Sequence, residues 1–132
     1  MPAPAELDLR GGFSGFVVAG SSARTVLVRA VGPALGAAGM ASPVLTVYDS
    51  QGNVLARNAG WGNPATVNAA YPASDSAGIA SAAASAGAPA LLSGNADSAV
   101  VLKLPSGAYT AQVTDANGGA GSVRVEVYTL SQ

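Results

Sequence analysis

Hydrophobic and polar positions alternate with a period of two along much of this chain. The clearest case is near the C-terminal end, where residues 109–114 and 123–128 both alternate and a Gly-rich connection, residues 115–121, joins them. Such alternation is typical of half-buried strands, and glycine supplies the positive φ values that a hairpin connection needs. The pattern therefore predicts an antiparallel hairpin.

The same alternation predicts further strands upstream of the hairpin. Residues 99–104 form one of them, and Pro105-Ser-Gly107 supplies a turn into the next strand. Lys103, the single lysine, alternates with the apolar positions of that strand and is expected to be a solvated edge charge. The remaining predicted strands are 24–31, 44–49 and 54–57, with weaker candidates at 13–19 and 6–9.

One segment, residues 74–87, has no period-two pattern and is rich in alanine. Ser74 or Asp75 fits the N-cap of a helix, and Gly87 fits its C-terminal stop. The segment therefore predicts a short helix within a crossover. Its small apolar face, which would let it lie close on a sheet or cap the sandwich, consists of Ile79, Ala82, Ala83 and Ala86.

These elements predict an all-β fold, an antiparallel β-sandwich of about seven or eight strands that is jelly-roll-like, with one short Ala-rich helix in a crossover. A length of 132 residues fits one domain, 1–132, in which residues 1–5 form a flexible Pro/Ala arm. Leu27, Val101 and Tyr128 are apolar at positions expected to face outward. Three explanations are open for these positions: the helix and the long loops cover them, the assignment of inside and outside is inverted on one strand, or they contact another copy or module.

Composition narrows the chemistry that the chain can perform. It has no histidine and no cysteine, six Lys and Arg, and seven Asp and Glu, with a net charge of −1. This set offers no general base near neutral pH and no thiolate ligand, so we expect no enzyme activity and no cofactor. Scattered basic residues argue against nucleic-acid binding, and no apolar run reaches the roughly 20 residues that would insert into a membrane.

Trp61 is the single tryptophan and stands between glycines, with Tyr71 ten positions further along. An exposed aromatic face beside amides is suited to holding a sugar ring, so Trp61, Tyr71, Asn58 and Asn63 are candidate ligand-binding residues. Because the chain has few aromatic side chains, Trp61 is also a natural core residue that closes one end of the sandwich. We favour burial and keep the sugar site as the alternative.

Acidic residues in turns raise the question of calcium, which needs six to eight oxygen ligands. Asp49 with Asn53 and Asp115 with Asn117 both flank predicted turns. Asp and Asn in turns ordinarily bond their own backbone. We therefore predict turn roles for them and no metal site.

A pair of carboxylates could act as a glycosidase dyad, for which Glu6, Asp8 and Glu126 are the nearest candidates. Glu126 alternates with Arg124 on a predicted strand, so we expect both to lie in a solvated cross-strand ladder instead. No catalytic residue is predicted.

Four segments of the sequence resemble a module that is found, often repeated or C-terminal, in large secreted bacterial proteins. They are residues 25–35 (TVLVRAVGPAL), 45–61 (LTVYD, GNVLA and Trp61), 104–113 (LPSGAYTAQV) and 125–128 (VEVY). The closing Gly-x-Tyr-Thr-x-x-Val hairpin is also distantly similar to bacterial pre-peptidase C-terminal domains, which are small jelly-roll-like sandwiches. Related modules often place aspartates before the tryptophan, a pattern suggestive of calcium, whereas residues 57–61 here read RNAGW.

The resemblance implies a non-catalytic accessory domain that is secreted or on the cell surface. We therefore expect a structural or interaction module whose partners are copies of itself or neighbouring modules. Low net charge and a positive mean hydropathy of +0.36 favour association. The alternative is a carbohydrate-binding module that stacks a polysaccharide on Trp61.

Overall fold

The computed structural model describes residues 5–7, 12–32, 41–88, 97–116 and 123–130. Within these ranges the chain forms eight strands and one helix. In chain order they are β1 Ala5–Leu7, β2 Gly12–Val18, β3 Arg24–Val31, β4 Pro43–Tyr48, β5 Val54–Asn58, α1 Ser76–Ala86, β6 Ser98–Leu104, β7 Gly107–Asp115 and β8 Val123–Thr129.

The strands form two four-stranded antiparallel sheets. Sheet A has the order β1-β8-β3-β6, and sheet B has the order β2-β7-β4-β5. Successive strands therefore often lie in opposite sheets, which is the arrangement of an eight-stranded jelly roll. The predicted all-β sandwich with a jelly-roll-like topology is confirmed.

The main core lies between the two sheets and is built from the inward side chains of alternating strands. In β3 these are Val26, Val28 and Ala30, which face Leu45 and Val47 of sheet B across the interior. Tyr109 of β7 closes the same core, and its hydroxyl donates a hydrogen bond of 2.6 Å to Pro105 O. Valine, leucine and alanine thus supply the interior, as the period-two pattern predicts.

Helix α1 lies in the crossover from β5 to β6, the outer strands of the two sheets. Its N-cap is Asp75, whose side chain accepts a hydrogen bond from Gly78 N, and its C-cap is Gly87 at φ 71°. Glycine adopts this left-handed conformation without the strain that a Cβ would bring. The buried face is the predicted one, formed by Ile79, Ala82, Ala83 and Ala86.

A second core lies between α1 and the outer face of sheet A. Leu27, Ala99 and Tyr128 of the sheet cluster there with Ile79 of the helix and with Trp61. Val101 packs against the same cluster. The outward apolar positions of sheet A are therefore covered by the helix, as the first of the three explanations predicts, and β3 is buried on both faces.

Every predicted strand is present, with boundaries that differ by at most two residues where the structure describes them. Ala5, expected in the N-terminal arm, begins β1. Several predictions lie outside the described residues: the rest of the arm at 1–4, the end of the weak strand at 8–9, and most of the Gly-rich connection at 117–121.

Candidate functional site

Trp61 lies in the loop after β5 and is 9% exposed. Its backbone N–H donates a hydrogen bond of 2.8 Å to Asp97 O at the start of β6, and its ring belongs to the cluster beneath α1. The burial interpretation is therefore confirmed. With the indole packed in this way, a sugar ring would have to displace part of the second core before it could stack on Trp61.

Asn58, at the end of β5, is buried, and both polar atoms of its side-chain amide form hydrogen bonds. Its Oδ1 accepts a hydrogen bond of 3.1 Å from Ala99 N, and its Nδ2 donates to Asn63 O at 3.4 Å. Asn63 itself is exposed, and its backbone N–H bonds Gly60 O. Asn58 thus holds the 58–63 loop to β6.

Tyr71 is half-buried against the main core and lines a narrow crevice between β5 and β6. The crevice has a volume of ≈ 10 Å³, which is about the space of one water molecule. Its lining consists of residues 56–58 of β5, 99–102 of β6, and 64–65 and 71–74 of the connection that follows β5. Tyr71 and Asn58 are therefore brought together, but the space between the walls is too small for a sugar ring.

Two polar residues at the start of β6, Asp97 and Ser98, are fully buried and join several segments. Ser98 Oγ donates a hydrogen bond of 2.6 Å to Pro43 O and accepts one of 3.0 Å from Gly60 N. Asp97 Oδ1 accepts a hydrogen bond of 2.8 Å from Gly32 N. This polar clasp, defined by Asn58, Asp97 and Ser98, pins the ends of β3 and β5 and the start of β4 to β6.

The polar clasp was not predicted from the sequence. Asp97 and Ser98 directly precede the apolar run of β6, where the sequence pattern is indistinguishable from a solvated turn. Their burial results from loops that are distant in sequence and converge at one end of the sandwich.

The two turn aspartates act on backbone groups. Asp49 accepts hydrogen bonds from the backbone N–H groups of Gln51 and Asn53, each at 2.9 Å, and from Asn53 Nδ2 at 3.0 Å. These bonds, led by that from the Asn53 side chain, lower the pKa of Asp49. The predicted turn role is thus confirmed for Asp49.

Asp115 has a partner outside its own turn. Its Oδ1 accepts a hydrogen bond of 3.0 Å from Ser42 N, so it fastens the segment before β4 to the end of β7. Asn117 lies outside the described residues. Within the described ranges, no group of three or more acidic side chains is placed to hold a metal ion.

The expectation of a solvated ladder at Glu126 is wrong. Glu126 is 2% exposed and pairs with Arg29 on the neighbouring strand β3, while Arg124 lies further away, with 3.8 Å between its Nη1 and Glu126 Oε2. The sequence pattern missed this because Arg29 is distant along the chain and the outer face of sheet A is covered. Glu6 is opposite Arg124 in the β1–β8 register, and Asp8 lies outside the described residues.

The four edge strands differ in how far they are protected against pairing with another chain. β1 has only three residues, β5 has a register irregularity against β4 and carries Arg57, and β6 carries the exposed Lys103. Short length, bulges and charges are the devices by which edge strands avoid further pairing. The expectation for Lys103 as an exposed edge charge is confirmed.

Strand β2 has none of these devices. It pairs with β7 without interruption over seven residues, Gly12 to Val18, and its sequence, GFSGFVV, contains no charge and no proline. Val17 is 74% exposed, more than any other large hydrophobic side chain among the described residues. The outer edge of β2 is therefore suited to accept a further strand.

No family model, curated protein or solved structure matches this chain. Among the described residues, no helix has the length and apolar character needed to cross a bilayer.

Proposed function

We propose that this chain is a non-catalytic structural and interaction module of a secreted or cell-surface bacterial protein. It binds neighbouring modules, or further copies of itself, by pairing a strand of the partner with an edge strand of its own sheets. The sequence resemblance to modules of large secreted bacterial proteins supports the location. The observation that carries the interaction role is the edge of β2, which is uncharged, free of proline and unpaired among the described residues, with the exposed Val17 in the same strand.

The polar side chains that could have formed a site are engaged in bonds within the fold, which supports the same proposal. Asn58 and Ser98 bond backbone groups of other segments, and Glu126 is engaged by Arg29. The side chains that most resemble site residues in the sequence thus stabilise the sandwich. A rigid scaffold with an open strand edge is what a module needs in order to connect others by backbone hydrogen bonds.

The alternative is a carbohydrate-binding module with Trp61 as the stacking platform. Of its four candidate residues, Asn63 is exposed and Tyr71 half-buried, while Trp61 and Asn58 are engaged in packing and hydrogen bonds. No described contact favours a sugar over a partner module, so we rank this function second.

Light scattering over a wide range of protein concentration, combined with a pull-down on insoluble polysaccharides, separates the two functions. A module that binds copies of itself associates as concentration rises, and a module that binds only its neighbours stays monomeric; both stay in the supernatant of the pull-down. A chain that remains monomeric and is retained on polysaccharide would overturn the proposal, and loss of that retention in Trp61→Ala would assign it to Trp61.

A further inference from the structure

We propose that two copies of this chain associate through β2, which pairs antiparallel with β2 of the second copy about a two-fold axis. The two copies of sheet B then form one continuous sheet. This inference rests on the proposed interaction function and names its partner as a second copy of the chain.

The hydrogen-bonding pattern of sheet B shows which backbone groups of β2 are not used by β7, the one strand that β2 pairs with among the described residues. Antiparallel strands alternate between hydrogen-bonded and non-hydrogen-bonded pairs. The bond of 2.9 Å from Ala116 N to Ser42 O marks a hydrogen-bonded position next to the Pro43–Asp115 pair. Counting along β7 by two, residues 110, 112 and 114 direct their backbone groups toward β4, so 109, 111 and 113 direct theirs toward β2.

The groups on β2 that β7 leaves unused follow from the register of the two strands. Residues 12, 14 and 16 lie opposite 113, 111 and 109, so their backbone groups are used inside sheet B. Phe13, Gly15 and Val17 alternate with them, and their N–H and C=O groups point away from β7. A two-fold axis at Gly15 sets Gly15 opposite its counterpart and residue 13 opposite residue 17, with every outward group of these residues in place to bond.

A second copy is the partner that fits this edge best. Identical antiparallel strands are self-complementary about a two-fold axis, so the contact closes at a dimer. Because β2 carries no charge, the pairing sets no like charges opposite each other, and the net charge of −1 produces little long-range repulsion. Pairing also places Val17, now largely exposed, beside the partner strand.

The first test compares two identical substitutions. Val17→Lys puts a charge on the β2 edge, while Val67→Lys puts the same charge at another exposed valine, 49% exposed, in the loop after β5. We expect sedimentation equilibrium to show a dimer for the unmodified chain and for Val67→Lys. For Val17→Lys we expect the dissociation constant of the dimer to be at least about tenfold higher. Hydrogen exchange should show protection of the amides of 13, 15 and 17 that increases with concentration.

The second test uses Gly15, where an added Cβ would lie 3.8 Å from Tyr109 O, an ordinary contact. Gly15→Lys and Gly15→Glu are each expected to be monomeric, because like charges meet at the axis, and an equimolar mixture is expected to recover the dimer. Circular dichroism of each variant checks that the fold is kept. A mixture that stays monomeric beside a dimeric unmodified chain would overturn the two-fold pairing at Gly15.

Two further outcomes would overturn the inference. One is an unmodified chain that stays monomeric at all concentrations, which leaves only neighbouring modules as partners in the proposed function. The other is a dimer that Val17→Lys leaves intact, which keeps the proposed function but moves the contact to another surface.

Discussion

Arg29 and Glu126 form a buried ion pair across β3 and β8, with 2.7 Å between Arg29 Nε and Glu126 Oε1. Both side chains are almost fully excluded from solvent. The Arg29 guanidinium carbon lies 5.7 Å from the centroid of the Tyr128 ring, and burial together with Glu126 raises the pKa of Tyr128. The pair thus occupies the outer face of sheet A next to the apolar cluster beneath α1.

Removal of one partner of this pair should destabilise the fold strongly. Glu126→Ala leaves the Arg29 guanidinium buried without its carboxylate, and we expect a loss of about 3–5 kcal/mol in the free energy of unfolding. Arg124→Ala, on a side chain that is 33% exposed, should cost at most about 1 kcal/mol. Urea denaturation of both variants provides the comparison.

A double variant then separates the charge from the packing. Arg29→Met with Glu126→Leu replaces both charges with apolar groups, and it should recover most of the loss caused by Glu126→Ala, because no uncompensated charge remains buried. If Glu126→Ala lowers the free energy of unfolding no more than Arg124→Ala does, then leaving Arg29 without its carboxylate partner carries no large penalty, and the prediction is wrong.

Trp61 connects the loop after β5 with the second core, so its removal should weaken the packing of α1 on sheet A. We expect Trp61→Ala to lower the free energy of unfolding by about 3–5 kcal/mol, since it leaves a cavity beside Ile79 and Leu27 in the cluster. Trp61→Phe keeps an aromatic ring and should cost clearly less. A Trp61→Ala variant as stable as the unmodified chain would contradict the core role.

The polar clasp provides a test of a single hydroxyl. Ser98→Ala removes the partner of Pro43 O and of Gly60 N, and we expect it to cost about 1–3 kcal/mol and to speed hydrogen exchange at the Gly60 amide. Ser106 is the control, because its hydroxyl also bonds a backbone carbonyl but lies at the exposed surface. Ser106→Ala should stay within about 0.5 kcal/mol, and equal costs would argue against a special role for the clasp.

The sequence predicted the strands and helix well because their signals are local. Alternation fixes which side chains of β3 face the interior, and Asp75 and Gly87 mark the ends of α1 by their own backbone preferences. The site could not be predicted in the same way. Glu126 has a charged neighbour two residues away in Arg124, but its main partner Arg29 is 97 positions distant and meets it only through the strand order.

The stability of the Asp49 turn should depend on pH. Hydrogen bonds from Asn53 and Gln51 lower the pKa of Asp49 below its ordinary value of 3.8, so the ionised carboxylate stabilises the folded turn. A lowered folded-state pKa contributes stability that is complete above the unfolded pKa and is lost as pH falls through the folded pKa. The difference in stability between the unmodified chain and Asp49→Ala should therefore be largest near neutral pH and shrink from about pH 5 toward about pH 2, as urea denaturation at several pH values can show.

Asp49→Asn, which keeps one acceptor oxygen without the charge, should show no such pH dependence relative to Asp49→Ala. A constant difference between the unmodified chain and Asp49→Ala across this range would mean that ionisation of Asp49 does not stabilise the turn.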